Sequence, residues 1–157
     1  MIERIVSNIK WLLLIAIVGG PGWSYLNWTD LEKINRVSVE GTEVTALVDG
    51  GESRSGRRSG TSYTIHAIWP EGDLERAEDI AITSEYAKKI IQDDMLMIDT
   101  VQVKYIPNDL SAKAFVVEDL PQQQADKELM IWLGVAAGVV GAIGSAIFFL
   151  AGRRKSA

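Results

Sequence analysis

Residues 129–151 read LMIWLGVAAGVVGAIGSAIFFLA, 23 residues without a charge. As a helix rising 1.5 Å per residue the run is about 34 Å long, enough to cross a hydrocarbon core of about 30 Å with some tilt. Trp132 stands near one end, where an amphipathic ring suits the headgroup zone, and Arg153, Arg154 and Lys155 close the other. A chain of 157 residues has room for one modest domain, too little to cover so long an apolar helix. The run therefore reads as a transmembrane helix.

Upstream, residues 11–28 read WLLLIAIVGGPGWSYLNW and are again uncharged. Fully helical they would reach about 27 Å, with a kink expected at Pro21, which lacks an N–H and crowds the carbonyl of Ile17. Trp23, Tyr25 and Trp28 suit an interfacial belt. A cleaved signal peptide is the competing reading, but no A-x-A-like site follows the core, so an uncleaved anchor is expected. Ile2, Ile5, Val6 and Ile9 share one helical face and extend this helix or form a short surface anchor.

Charge sets the topology. The tail is basic, residues 1–10 carry Glu3, Arg4 and Lys10, and the chain as a whole is −5, so the middle is strongly acidic. Positive flanks stay inside. The expectation is a two-pass protein of the inner (plasma) membrane with both termini cytoplasmic and the middle periplasmic or extracellular. Its parts are a cytoplasmic segment 1–10, membrane helix 11–28, an extracytoplasmic β domain 29–120, a linker 121–128, membrane helix 129–151 and a basic cytoplasmic tail 152–157. The fold class expected is thus membrane α+β: two transmembrane helices flanking a small antiparallel sheet or partly closed barrel with one short helix.

Small residues recur every four positions in both apolar blocks: Ala16, Gly20 and Ser24 in the first, Gly134, Gly138 and Ala142 in the second, with Ala137, Gly141 and Ser145 one stripe over. In lipid, close backbone approach holds helices together and small residues permit it. Either the two helices pack on each other, or the double stripe also packs a second protein.

Between the blocks, residues 36–49, 61–70, 77–82, 99–105 and 112–118 alternate as strands, with a change of phase at Gly41. GGESRSGRRSG, residues 50–60, reads as a mobile hairpin loop. SEYAKKIIQDD, residues 84–94, reads as a short helix capped by Ser84, and Ile106-Pro107-Asn108-Asp109 as a turn.

Chemistry is sparse. Without cysteine there is no disulfide, thiolate metal site or cysteine nucleophile, and one histidine cannot make a multi-histidine site. His66 lies on the strand face opposite Tyr63, Ile65 and Trp69, and no nucleophile elbow or H-E-x-x-H accompanies it. Glu71, Asp73, Glu75, Glu78 and Asp79 lack calcium-loop spacing. Arg54, Arg57 and Arg58 form a basic loop tip on an acidic domain, which argues against nucleic acid. No catalytic residue, metal or cofactor is assigned.

GTEVTALV, then YTIHAIW after a variable loop, then VQVKYIPNDLSAKAFVVED between two apolar blocks, resembles the bacterial domain-of-unknown-function family 3592. Its V-x-V-x-Y-D-P-x-x-P signature is matched by Val101, Val103, Tyr105 and Pro107, with Ile106 and Leu110 departing from it. The resemblance implies a fold and topology and no activity. The expected function is a non-enzymatic, membrane-anchored interaction module, an accessory or assembly subunit of a larger membrane complex. Its partners would be lipid and either another membrane protein or itself. The alternatives are a structural homo-oligomer of the envelope, or a small-ligand sensor or envelope enzyme using His66 or the carboxylates of 71–79.

Overall fold

Helix α1 (Ile2–Glu40) is followed by β1 (Thr42–Gly56), β2 (Gly60–Glu71), β3 (Leu74–Ile82), α2 (Ser84–Ile90), β4 (Ile91–Gln92), β5 (Met95–Leu96), β6 (Thr100–Tyr105), β7 (Phe115–Val116) and α3 (Leu120–Arg153). This computed structural model describes residues 2–56, 60–92 and 95–153, with the side chains of 11–55, 61–92 and 95–148. The chain forms two compact units: Met1–Leu31 with Asp126–Ala157, and Glu32–Ala125.

Strand alternation builds the second unit. Its antiparallel sheet has the order β3-β2-β1-β6-β7. Ile65, Ala67 and Trp69 of β2, Val101, Val103 and Tyr105 of β6 and Ile80 of β3 point into one core, and α2 covers it with Tyr86, Ala87 and Ile90. The sheet curls until its two edges meet, but side chains rather than a ladder join them. Glu78 of β3 accepts from the Ala114 N–H at 3.0 Å, and Arg76 donates to the Ala112 carbonyl at 3.1 Å. The Arg76 guanidinium is buried, paired with Glu78 at 2.9 Å and held 5.5 Å over the Trp69 ring and 5.6 Å over Tyr105.

Two transmembrane helices flanking the sheet are not what the structure shows. Among the described residues one helix is long and apolar enough to cross a membrane, over Leu120–Phe148. Residues 11–28 fall short because Gly19-Gly20-Pro21-Gly22 and Trp23, Ser24, Tyr25, Asn27 and Trp28 dilute the aliphatic run. Nor does α1 stop there. It continues through Pro21 to Glu40, 39 residues in all.

Other boundaries also move. Residues 36–40 are the end of α1, because Leu31, Ile34 and Val37 are buried at steps of three while Val39 is exposed. Gly41 closes the helix by donating to the Val37 carbonyl at 2.9 Å, and the phase change lies instead between Val48 and Gly50, at a bulge. The supposed loop 50–60 is mostly strand, since β1 runs to Gly56 and β2 starts at Gly60. Thr83, not Ser84, caps α2 by accepting from the Tyr86 N–H, and the helix ends at Ile90 rather than Asp94. Residues 121–128 are the first turns of α3. Pro21 sits mid-helix, but Pro121 sits in a first turn, where its missing N–H costs nothing.

The turn at 106–109 places Asn108 at φ 61°, a left-handed conformation asparagine tolerates. Glu71 accepts from its N–H at 2.8 Å. Hydrogen bonds to Asp109 from Ser111 above all, then Ala112, hold its carboxyl below the usual range, with Arg36 adding charge.

Candidate functional site

Within the first unit, α1 and α3 lie antiparallel along a seam of small residues. An added Cβ on Gly20 would stand 2.5 Å from the Gly134 carbonyl oxygen and 2.7 Å from the Gly138 nitrogen. One on Gly141 would stand 2.9 Å from the Ala16 Cβ and 3.0 Å from the Ile17 nitrogen. Gly138 makes room for the Pro21 ring. Backbone therefore meets backbone, a distance only glycine allows. Ser24 adds polarity: its hydroxyl lies 2.9 Å from the Ile131 carbonyl across the seam and 3.1 Å from the Gly20 carbonyl. Lys127 closes one end, 2.9 Å from Asp30 and 3.4 Å from Asn27.

Among the buried and half-buried positions a regular run is Leu13, Ile17, Gly20, Ser24, Asn27, Leu31 on α1 and Lys127, Ile131, Gly134, Gly138, Gly141, Ser145, Phe148 on α3, with Ala16 and Gly144 filling in beside it. Both step alternately by four and three, the 3.5-residue period of left-handed helix packing. A search for steps of four splits this seam into two stripes. It collects Ala16, Gly20, Ser24, Gly134, Gly138, Gly141 and Ser145, which the structure brings to the seam. It also collects Ala137 and Ala142, which the structure leaves exposed. The alternating period was the signal that could have separated them. Arg153 ends α3 with its side chain outside the described residues, and Arg154 and Lys155 lie outside them altogether.

The seam's counterpart is the outer surface. Trp11, Leu12, Ile15, Val18, Trp23, Leu26, Leu133, Val140, Ile143 and Ile147 are each more than half exposed, and Trp132 is 71% exposed. The helix pair thus places several of its glycines, with Ser24, inside and its tryptophans and most of its large aliphatic residues outside.

On the second unit, register brings three groups from three strands together. His66 stands opposite Asp79 on β3, and its Nδ1 lies 2.8 Å from the Asp79 carboxylate. The bulge in β1 brings Asp49 to within 3.9 Å of Nε2. The Asp79 hydrogen bond raises the His66 pKa above 6.5 against the opposing effect of desolvation, and the Asp49 charge adds to the rise. No hydroxyl or thiol nucleophile joins this exposed trio among its described contacts. The acidic run is dispersed: Glu71 and Glu78 serve the Arg76 clasp and Asp79 serves His66. Among the described residues no group of three or more such side chains could hold a metal ion. Beside α2, Asp119 accepts from Thr83 N–H at 2.9 Å and from Gln123 at 2.8 Å, and from the Thr83 hydroxyl. Burial, helped by Glu118 and Asp119, pushes the Tyr86 hydroxyl up to about 12. These contacts tie α2 to the start of α3.

No family model, curated protein or solved structure matches the chain.

Proposed function

We propose that the protein is a non-enzymatic interaction module held in a membrane by α3, with the glycine–serine face of α1 packed on that helix. The observation that carries this reading is the inverted packing of the helix pair. Water would reward burial of Trp132, Leu133, Val140 and Ile147, at roughly 1.5–3 kcal/mol for each large side chain, and instead they face outward. Lipid supplies no such drive and favours close backbone contact between small residues. The basic cluster Arg153, Arg154 and Lys155 would hold its end of α3 at an anionic cytoplasmic surface, at about 1 kcal/mol per charge. The acidic β unit would then lie on the opposite side of the bilayer, that of the plasma membrane.

Fractionation followed by native mass measurement after gentle detergent extraction tests this. The chain should sediment with membranes, resist an alkaline wash and leave detergent with partner chains or further copies attached. Recovery in the soluble fraction, or a strictly monomeric species at every detergent strength, would overturn it.

A further inference from the structure

We propose that the chain pairs with a second copy of itself along the open edge of β1, antiparallel and centred on Ser53. The edge arises from unequal strand lengths. β1 pairs with β6 only over Thr42–Leu47, yet with β2 as far as Gly56. β3 in turn covers β2 no further than Tyr63. Beyond these points the hairpin is a two-stranded ribbon, and such ribbons are marginal in water alone. Among the described residues no strand lies along the other side of Gly50–Gly56.

Space over the ribbon at Gly50 and Gly51 is open. A Cβ on Gly50 would meet nothing within 4 Å, and one on Gly51 would meet only the ribbon's own Thr64 and Ile65. A cleft of about 570 Å³ lies between the ribbon and α2, lined by Gly51, Ser53, Tyr63, Ala87, Lys88 and Ile91. Edge strands are commonly blunted by proline, lysine or a covering element, and this stretch has neither residue.

The occupant follows from the order of side chains. The Val48 N–H donates to the carbonyl of Asp99, just before β6, and the alternation of an antiparallel ladder, carried through the one-residue shift at Asp49, turns the polar backbone groups of Gly51, Ser53 and Ser55 outward. A two-fold axis at Ser53 sets Ser53 against its copy and Gly51 against Ser55, so that all three find partners. The same axis sets Glu52 of each copy directly opposite Arg54 of the other, at the positions where cross-strand side chains approach closest. An axis at Glu52 or at Arg54 would set like charges face to face. Among the described residues these two side chains pair with each other, at 3.2 Å, and are 71% and 83% exposed. The edge is thus self-complementary in one symmetric register, which is what a two-fold interface requires. The pairing does not depend on how the chain meets a membrane.

Charge reversal tests it in the full chain, by sedimentation and native mass in a mild detergent across protein concentrations. Glu52→Arg or Arg54→Glu alone should raise the dimer dissociation constant about tenfold or more. The double swap should bring it back to within about threefold, with unchanged melting of all three variants. The chain contains no cysteine, so Ser53→Cys should link two copies through a short thiol cross-linker while Ser62→Cys, on the inner strand of the ribbon, should not. A monomeric native chain, single reversals without effect, or a double swap that fails to restore pairing would overturn the proposal. Association that ignores all three reversals would assign the edge to a different partner and overturn it equally. Membrane retention with partner chains or copies still attached in every variant would leave the functional reading standing while this inference falls.

Discussion

Trp69 and Gly134 are both buried, and for opposite reasons. In the β unit Trp69 is the largest fully buried side chain, packed on Tyr105 with ring centroids 5.4 Å apart. In the helix pair most buried places belong to Gly20, Ser24, Gly134 and Gly141, with Asn27 and Leu31 nearer one end, while Trp11, Trp23 and Trp132 face outward. The β unit follows the logic of water, where large apolar groups hide and charges cover the outside. The helix pair has the packing expected of a solvent as apolar as its own side chains, which is the proposal made above for α3: there close approach and a few interhelical hydrogen bonds are all that packing offers.

The contrast breaks most visibly at the aromatic core. Trp69→Ala should destabilise the β unit by about 3–5 kcal/mol, both through the cavity and by unseating Arg76. Trp132→Ala should leave thermal unfolding of that unit unchanged, so the two melting curves sharpen the comparison directly.

Three nearby positions, two glycines and a serine, sharpen it further. Gly20→Ala must push a Cβ into the Gly134 carbonyl and should cost about 1–3 kcal/mol of helix-pair stability in micelles. Gly22→Ala meets nothing within 4 Å and should stabilise α1 by about 0.5 kcal/mol, since helix interiors prefer alanine. Equal effects at the two positions would remove the close-contact seam. Ser24→Ala should cost about 0.6 kcal/mol, the typical worth of a hydrogen bond between helices in lipid, measured by reversible unfolding in the same micelles.

A pH effect is the smallest. The folded-state pKa of His66 is raised, mainly by its hydrogen bond to Asp79. Stability from the pair is complete below the ordinary value of 6.5 and is lost as pH rises through the raised value. Melting temperature should fall slightly across that window in the native chain and stay flat in His66→Ala. A fall of equal size in the variant would show that His66 is not its source.

The strands were legible because alternation is a local signal, as in Val101, Val103 and Tyr105. Where α1 ends was not, because Val37 and Val39 alternate as readily as Leu31, Ile34 and Val37 step helically; the exposure of Val39 decides between them. The start of α3 was written in Asp119-Leu120-Pro121, a capping residue followed by a first-turn proline, but proline reads equally as a breaker. Small residues announced a close helix contact, and only the alternating step of four and three selects which of them face it. The meeting of His66 with Asp79 and Asp49 depends on register and on a bulge, and the Arg76 clasp depends on curvature. Neither is a property of a short window. The expectation of two transmembrane helices failed for a related reason: it weighed the missing charges of residues 11–28 above their glycines, proline and polar aromatics.

The account rests on lipid surrounding the outer face of α3. Since the chain has no cysteine, single cysteines bearing spin labels at Leu133, Val140 and Ile147 can report collisions with oxygen and with a water-soluble nickel chelate in liposomes. High oxygen and low chelate accessibility at all three is the expected result. Free access of the chelate along that face would contradict the account.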